Sequence, residues 1–302
     1  MLPLRSLLFV PGNRERFLAK LGALRPDAAI LDLEDSIPAA EKEAARESVR
    51  AVLRSGRLPD LPLFVRVNDF RTGLTADDIA AVVTPRLAGV FLPKVEHPDE
   101  LREANRLLAL AEAREGLEIG CTRLIPIVET VRGIQRAAEL AECRHRLLGL
   151  NFGYDDFALD LGVQRTRDGL ETMYPRARLA LAARSAGLLA IDGPYADFGD
   201  PSAGSGQALA GLEAECRVSR QLGFSGKQCI HPSQIEPINR AFSPSAEEVE
   251  RARAIIAAYD QAASRGHGST GLGRSMVDAP VVERARRLLA LWGDRVPREP
   301  EK

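Results

Sequence analysis

The sequence predicts a (β/α)8 barrel with a C-terminal helical appendage, and three observations carry that reading. Eight short apolar runs recur along the chain, at 5–10, 28–34, 63–67, 89–95, 123–129, 146–152, 188–193 and 226–231. Most are continuous, as expected of parallel strands covered on both faces. Helix-like stretches separate them, including 40–54, 98–115, 130–142, 175–187 and 208–223. Repeated β–α units imply parallel pairing through right-handed crossovers. The chain has 302 residues, 45% of them apolar, which suits a single barrel domain with a sizeable core. Eight such units favour closure over an open doubly wound sheet.

Each end of the chain adds to this. The strand-like run Ser6-Leu7-Leu8-Phe9-Val10 lies close to the N-terminus and lacks the long apolar segment and cleavage signal of a secretory peptide. Past residue 240 the pattern changes. Ser243-Pro244-Ser245, followed by Glu247 and Glu248, reads as the start of a helix running to about Ala263. A Gly/Ser-rich link, Gly266 to Gly273, and a last helix, Val281–Trp292, follow. The expected division is a barrel over 1–240 and a helical extension over 241–302 that packs on the barrel or on a neighbouring subunit.

Composition narrows the function. The net charge of −1 gives no indication of nucleic acid or an anionic membrane as partner, although local basic residues remain available for a phosphate-bearing ligand. The four cysteines, Cys121, Cys143, Cys216 and Cys229, show no CxxC spacing, which argues against structural zinc or a disulfide framework. No segment approaches the roughly 20 apolar residues of a membrane span. A reduced, cytoplasmic setting is expected.

The polar residues sit where a barrel does its chemistry, at the C-terminal ends of strands. Strand two ends in Asp32-Leu33-Glu34-Asp35, strand three in Arg66-Val67-Asn68, strand four in Pro93-Lys94 and strand five in Glu129-Thr130. Strand six ends in Gly153-Tyr154-Asp155-Asp156, strand seven in Asp192 and strand eight in Lys227-Gln228. Burying an unpaired carboxylate is costly, and several at one mouth suggest a hard cation. Mg²⁺ takes one or two carboxylates and fills its other positions with water and substrate oxygens. Glu129 plus either Asp155 or Asp156 meets that demand, the other aspartate being a candidate helix cap. Glu129 itself could instead be a helix N-terminal acid. Glu34 and Asp35 could orient metal-bound waters, or form a salt-bridged strand end. Arg66 could bind a carboxylate or stabilise an enolate oxygen, or pair internally with Glu34 or Asp35. Lys94 is a candidate Schiff-base lysine, but carboxylates that recruit a metal make that role unnecessary.

Six segments resemble the citrate lyase β-subunit-like family of the HpcH/HpaI aldolase superfamily, which includes malyl-CoA, citramalyl-CoA and citryl-CoA lyases. They are Arg5-Ser6-Leu7-Leu8-Phe9-Val10-Pro11-Gly12-Asn13, Leu31-Asp32-Leu33-Glu34-Asp35-Ser36, Leu92-Pro93-Lys94-Val95, Gly153-x-x-Asp156-Phe157, Gly226-Lys227-Gln228-Cys229-Ile230-His231-Pro232 and Ser275-Met276-Val277-Asp278. The resemblance covers nearly the whole chain. It implies a (β/α)8 barrel, Mg²⁺ and an acyl-CoA thioester. Metal ligands fall on Glu129 and Asp156, the substrate-binding arginine on Arg66, and an acid/base on Asp278, which in relatives often reaches the site of an adjacent subunit. Asp278 also reads as the N-cap of the helix near Pro280. CoA-contacting positions fall on Phe9, Arg16, Lys20, Gln228 and Cys229. Arg16 and Lys20, at i and i+4, would share a helix face. The loop 199–207 looks longer than the family's.

What the resemblance implies is a retro-Claisen cleavage of a 3-hydroxyacyl-CoA to acetyl-CoA and a 2-oxo acid by a homo-oligomer, a trimer or hexamer. Alternatives are a citrate lyase β subunit acting on an acyl-carrier thioester, a class II pyruvate-type aldolase, and a non-enzymatic CoA-binding barrel.

Overall fold

The computed structural model describes residues 4–14, 21–56, 60–166, 168–196 and 206–293. Arg16, Lys20 and most of the 199–207 loop lie outside them. The chain divides into two compact units, one of Leu4–Asn239 and one beginning at Arg240.

The first unit is a closed barrel of eight parallel strands in sequential order. They are β1 (Ser6–Pro11), β2 (Ala28–Asp32), β3 (Leu63–Arg66), β4 (Leu87–Leu92), β5 (Arg123–Val128), β6 (Gly149–Phe152), β7 (Leu189–Asp192) and β8 (Gly226–Cys229). β8 closes on β1 with Leu7 opposite Gln228. Each of the eight runs read from the sequence overlaps one strand, so the predicted (β/α)8 fold is the one observed. Strand four ends at Leu92 because Pro93 has no amide hydrogen to continue the ladder and Lys94 turns to a left-handed φ of 55°.

The crossover helices include α1 (Leu21–Leu24), α2 (Lys42–Arg54), α3 (Thr75–Val82), α4 (Pro98–Arg114), α5 (Val131–Gln135), α6 (Ala137–Glu142), α7 (Tyr154–Leu161), α8 (Leu170–Ser185) and α9 (Gly206–Leu222). The single helix expected over 130–142 is two, separated at Arg136, whose φ of −97° and ψ of 10° leave helical geometry. α8 starts five residues ahead of Pro175. Proline reads as a helix start in sequence, but here it lies inside the helix.

Strand alternation sorts side chains into two populations. Leu7, Ile30, Phe64, Ile127 and Ile191 point into the barrel and belong to its core, where Phe64 and Phe91 pack edge to face with centroids 5.5 Å apart. Two residues further along the same strands, or just past their ends, come Phe9, Asp32, Arg66 and Glu129. Period two therefore stacks these four directly above the core, at the C-terminal mouth.

The second population faces the helices. Asp192 and Lys227 were read as part of the polar mouth, yet each is offset by one residue from an inward position. Both are fully buried. Lys227 Nζ lies 2.8 Å from Asp192 Oδ2, and Arg176 of α8 and Ser219 of α9 also bond this carboxylate. They tie β7 and β8 to the helical layer.

The helix Ile235–Phe242 (α10) precedes α11 (Ala246–Ala263) and α12 (Ala279–Trp292) of the second unit. Ser245 caps α11 in a reciprocal capping box with Glu248, as Ser243-Pro244-Ser245 suggested. The Gly/Ser-rich link is not plain loop. Thr270–Leu272 (β9) pairs antiparallel with Ser275–Val277 (β10), across a two-residue turn in which Gly273 takes a φ of 60°. No helix among the described residues is long and apolar enough to cross a membrane.

Candidate active site

The barrel mouth opens into a cavity of about 430 Å³ walled by Phe9, Asp32, Arg66, Glu129, Asp156 and Gln228, among others. Glu129 stands at its floor, 4% exposed. It is not a helix cap, since Thr130 takes that place by accepting from Gly133 N. One carboxylate oxygen, Oε1, accepts from the Lys94 backbone N–H at 2.8 Å. The left-handed turn at Lys94 aims that amide, and a non-glycine residue held there carries a strain of about 1–3 kcal/mol. The other oxygen, Oε2, lies against Gly153, where a Cβ would also come within 2.6 Å of Glu129 Cβ. Glycine at 153 is thus a steric requirement of Glu129.

Asp155 and Asp156 both lie in the first turn of α7, and neither caps it, because the N-cap is Gly153. Their surroundings differ. Asp155 is the more exposed and faces Arg165 at 3.6 Å. Asp156 Oδ1 lies 3.9 Å from Lys94 Nζ and is close enough to Glu129 to raise that residue's pKa.

Arg66 is held by its neighbours. Nε and Nη2 donate to the two oxygens of Asp32 at 2.6 and 2.8 Å, a bidentate pair. Nη1 lies 2.7 Å from Glu34 Oε2 and 3.3 Å from Asp35 Oδ2. Its Cζ sits 4.8 Å from the centroid of the Phe9 ring, within cation–π range. The internal pairing expected with Glu34 or Asp35 therefore exists with both. Asp32 is the stronger partner and was not singled out from the sequence, although its spacing of two from the inward Ile30 marks it. Glu34 also accepts from Lys94 Nζ at 2.6 Å. That contact and the nearby carboxylates raise the Lys94 pKa despite burial, so the amine stays protonated and is no nucleophile.

The electrostatics single out the cation-poor corner. Burial raises the Asp32 pKa, but Arg66 more than offsets this and holds it below the usual range. Glu129 goes the other way. Burial, then the Asp156 and Glu34 carboxylates, push it up to about 8. Burial likewise raises Asp156 and, against the pull of Arg66 and Lys94, Glu34. Glu34 Oε2 is buried without an aligned hydrogen bond. Three carboxylates whose charged forms burial disfavours are what a hard divalent cation would relieve. Among the described residues no three acidic, histidine or cysteine side chains converge as a preformed cage. Mg²⁺ takes only one or two carboxylates from a protein and keeps water and substrate oxygens as its other ligands. Glu129 and Asp156 could hold it, with Glu34 and Asp35 alongside.

The remaining expected residues are spread out. Gln228 lines the cavity and donates through Nε2 to Asn151 Oδ1 at 2.7 Å. Cys229, expected beside it as a CoA contact, is the last residue of β8. It is fully buried, and alternation turns it toward the helices, where Cys216 is a neighbour. Asp278 lies in the second unit and caps α12, Oδ1 accepting from Val281 N at 3.3 Å.

The fold agrees with that of known relatives. Residues 5–232 match the model of the HpcH/HpaI aldolase/citrate lyase family, and the chain belongs to that family. It is a carbon–carbon lyase. It is 37% identical to the citrate lyase subunit beta-like protein of Deinococcus radiodurans, over 95% of this chain and 96% of that one. It is 33% identical to the human mitochondrial citramalyl-CoA lyase, over 96% of this chain and 86% of that one. Among solved structures, CitE of Mycobacterium tuberculosis in complex with magnesium, acetoacetate and coenzyme A superposes with a TM-score of 0.75 at 31% identity. The match covers 96% of this chain and 98% of CitE.

Proposed function

We propose that this chain is a Mg²⁺-dependent lyase that cleaves a 3-hydroxyacyl-CoA to acetyl-CoA and a 2-oxo acid. The observation that carries the reading is the buried Glu129 carboxylate, pushed up to about 8 beside Asp156 at the floor of a cavity. Glu129 and Asp156 would hold Mg²⁺, with Glu34 and Asp35 orienting its waters. The bound ion supplies Lewis acidity toward the substrate's carboxylate and 3-hydroxyl.

The protein's own groups do the rest. The 3-hydroxyl gives its proton to water, and its oxygen becomes the 2-oxo group as the C2–C3 bond breaks. The electron pair passes into the thioester as an enolate. Arg66, held in place by Asp32, has guanidinium charge on the cavity wall to balance the enolate oxygen. Asp278, from a neighbouring chain of a homo-oligomer, protonates the enolate carbon. Phe9 and Gln228 wall the thioester's path, and Arg16 and Lys20 bind the CoA phosphates. A cytoplasmic enzyme fits this substrate. The test is cleavage of malyl-, citramalyl- and citryl-CoA with and without EDTA. Activity should vanish with the chelator and return with Mg²⁺.

A second reading is a citrate lyase β subunit acting on a thioester carried by a protein. A 33% identity to the citrate lyase subunit beta of Leuconostoc mesenteroides, over 95% of this chain, favours it. Turnover of free CoA thioesters by the isolated chain would count against it.

A further inference from the structure

Asp156 sits in the first turn of α7, and the residue that opens this helix, Tyr154, is held from behind. Tyr154 is 2% exposed. Its ring packs edge to face on Phe152, centroids 5.0 Å apart, and a Cβ at Gly193 would come within 2.6 Å of Tyr154 Cδ2. Three cations gather on the same ring. Arg165 Cζ lies 4.1 Å from its centroid, Lys227 Nζ 5.2 Å and Arg176 Cζ 5.3 Å, all within cation–π range. The Tyr154 hydroxyl has no hydrogen-bond partner among the described residues, so what is held is the ring.

Buried carboxylates fix the cations. Asp192 binds Lys227 and Arg176. Glu215 lies 2.6 Å from Lys227 Nζ and 3.5 Å from Arg165 Nη2. Arg165 Nη1 is buried without a hydrogen bond among the described residues, 3.6 Å from Asp155 Oδ1. This guanidinium lies against the ring in place of a full set of hydrogen bonds. Buried ion pairs add little net stability, since apolar side chains of similar volume often do as well. Tying β7 and β8 to the helices therefore does not by itself account for three cations on one aromatic ring.

We propose that Tyr154 is a positioning residue for the metal site. The buried cluster of Arg165, Arg176, Lys227, Asp192 and Glu215 grips its ring and so fixes Asp156 where it can meet Glu129 on one ion. The proposal rests on the Mg²⁺ reading above. α7 has 8 residues, little more than two turns. Its other buried aromatic, Phe157, follows Tyr154 by three and packs on the same Phe152. A ring free to leave its slot would let the first turn shift, and Asp156 with it.

The test is Mg²⁺ calorimetry on the full-length protein and three variants, with circular dichroism to confirm the fold. Tyr154→Phe keeps a ring for the cations and loses only the unpartnered hydroxyl, so affinity should stay within about twofold of wild type. Tyr154→Leu removes the ring, and affinity should fall by about 10–100-fold. Arg165→Met separates grip from plain electrostatics. Loss of a nearby positive charge alone would tighten Mg²⁺ binding, whereas loss of the grip should weaken it by about 3–10-fold. Arg165 is partly exposed, so this variant decides the matter even where Tyr154→Leu fails to fold. The proposal is overturned, and the metal reading stands, on any of three results: Tyr154→Leu binds like wild type, Tyr154→Phe loses as much as Tyr154→Leu, or Arg165→Met binds more tightly. A wild-type protein that binds no Mg²⁺ and still cleaves thioesters in EDTA removes the metal reading and this proposal with it.

Discussion

Gly153 and Glu129 share one space: the position a Cβ would take on Gly153 lies 2.6 Å from Glu129 Cβ and closer still to Oε2. The glycine that opens α7 thereby lets the carboxylate at the end of β5 stand upright beside Asp156. Gly153→Ala should push Glu129 aside. Mg²⁺ affinity, measured by calorimetry, should fall by about 10–100-fold, while circular dichroism stays that of the folded barrel. Unchanged affinity would mean that Glu129 does not bind the ion.

Arg66 and Asp32 make a second testable pair. Arg66→Lys keeps the charge but loses the fork that grips both Asp32 oxygens. kcat should drop by about 10²-fold if the guanidinium stabilises the enolate. A drop confined to KM would assign Arg66 to substrate binding alone.

Lys94 should be chemically silent. Its ammonium is held by Glu34 at 2.6 Å and stays protonated. Incubation with pyruvate and borohydride should leave the protein mass unchanged. A reduced adduct on Lys94 would revive imine chemistry at this site.

Much of this was legible in the chain, for physical reasons. Eight apolar runs had to be strands, and a parallel barrel puts its chemistry at their C-terminal ends, so Glu129, Arg66 and the Asp155–Asp156 pair could be found by position. What alternation decides was harder to read. Asp192 and Lys227 looked like mouth residues but fall one place out of phase, and Cys229 shares the phase of Lys227. Asp32 was passed over because a strand's last residue reads like its turn, yet it follows Ile30 by two. The hairpin Thr270–Val277 hid in a glycine-rich segment because three-residue strands are too short to show a period. Asp155 and Asp156 are equivalent by spacing, and their different neighbours, Arg165 and Lys94, appear only in the folded chain.

At the opposite end of the barrel, Glu112 and Arg146 test stability apart from catalysis. Arg146 donates to both Glu112 oxygens, at 2.5 and 2.7 Å, and the carboxylate is fully buried. Burial raises its pKa, but Arg146 and the Gly120 and Thr122 amides outweigh this and bring it from 4.5 down to about 2. A carboxylate lowered on folding stabilises the fold above its unfolded pKa. That contribution should be intact above about pH 4.5 and disappear as pH falls toward 2. Glu112→Ala should cost about 3–5 kcal/mol by denaturant unfolding at pH 7, with kcat/KM preserved in the folded fraction. A cost that did not shrink on acidification would contradict the pairing.

The central claim is that Glu129 and Asp156 together hold the catalytic ion. The direct measurement is thioester cleavage by the wild-type chain and by Glu129→Ala/Asp156→Ala, each stripped with EDTA and then titrated with Mg²⁺. Wild type should lose activity on stripping and regain it on titration, and the double variant should stay inactive at every Mg²⁺ concentration. A metal-free double variant that cleaved at the wild-type rate would contradict the claim.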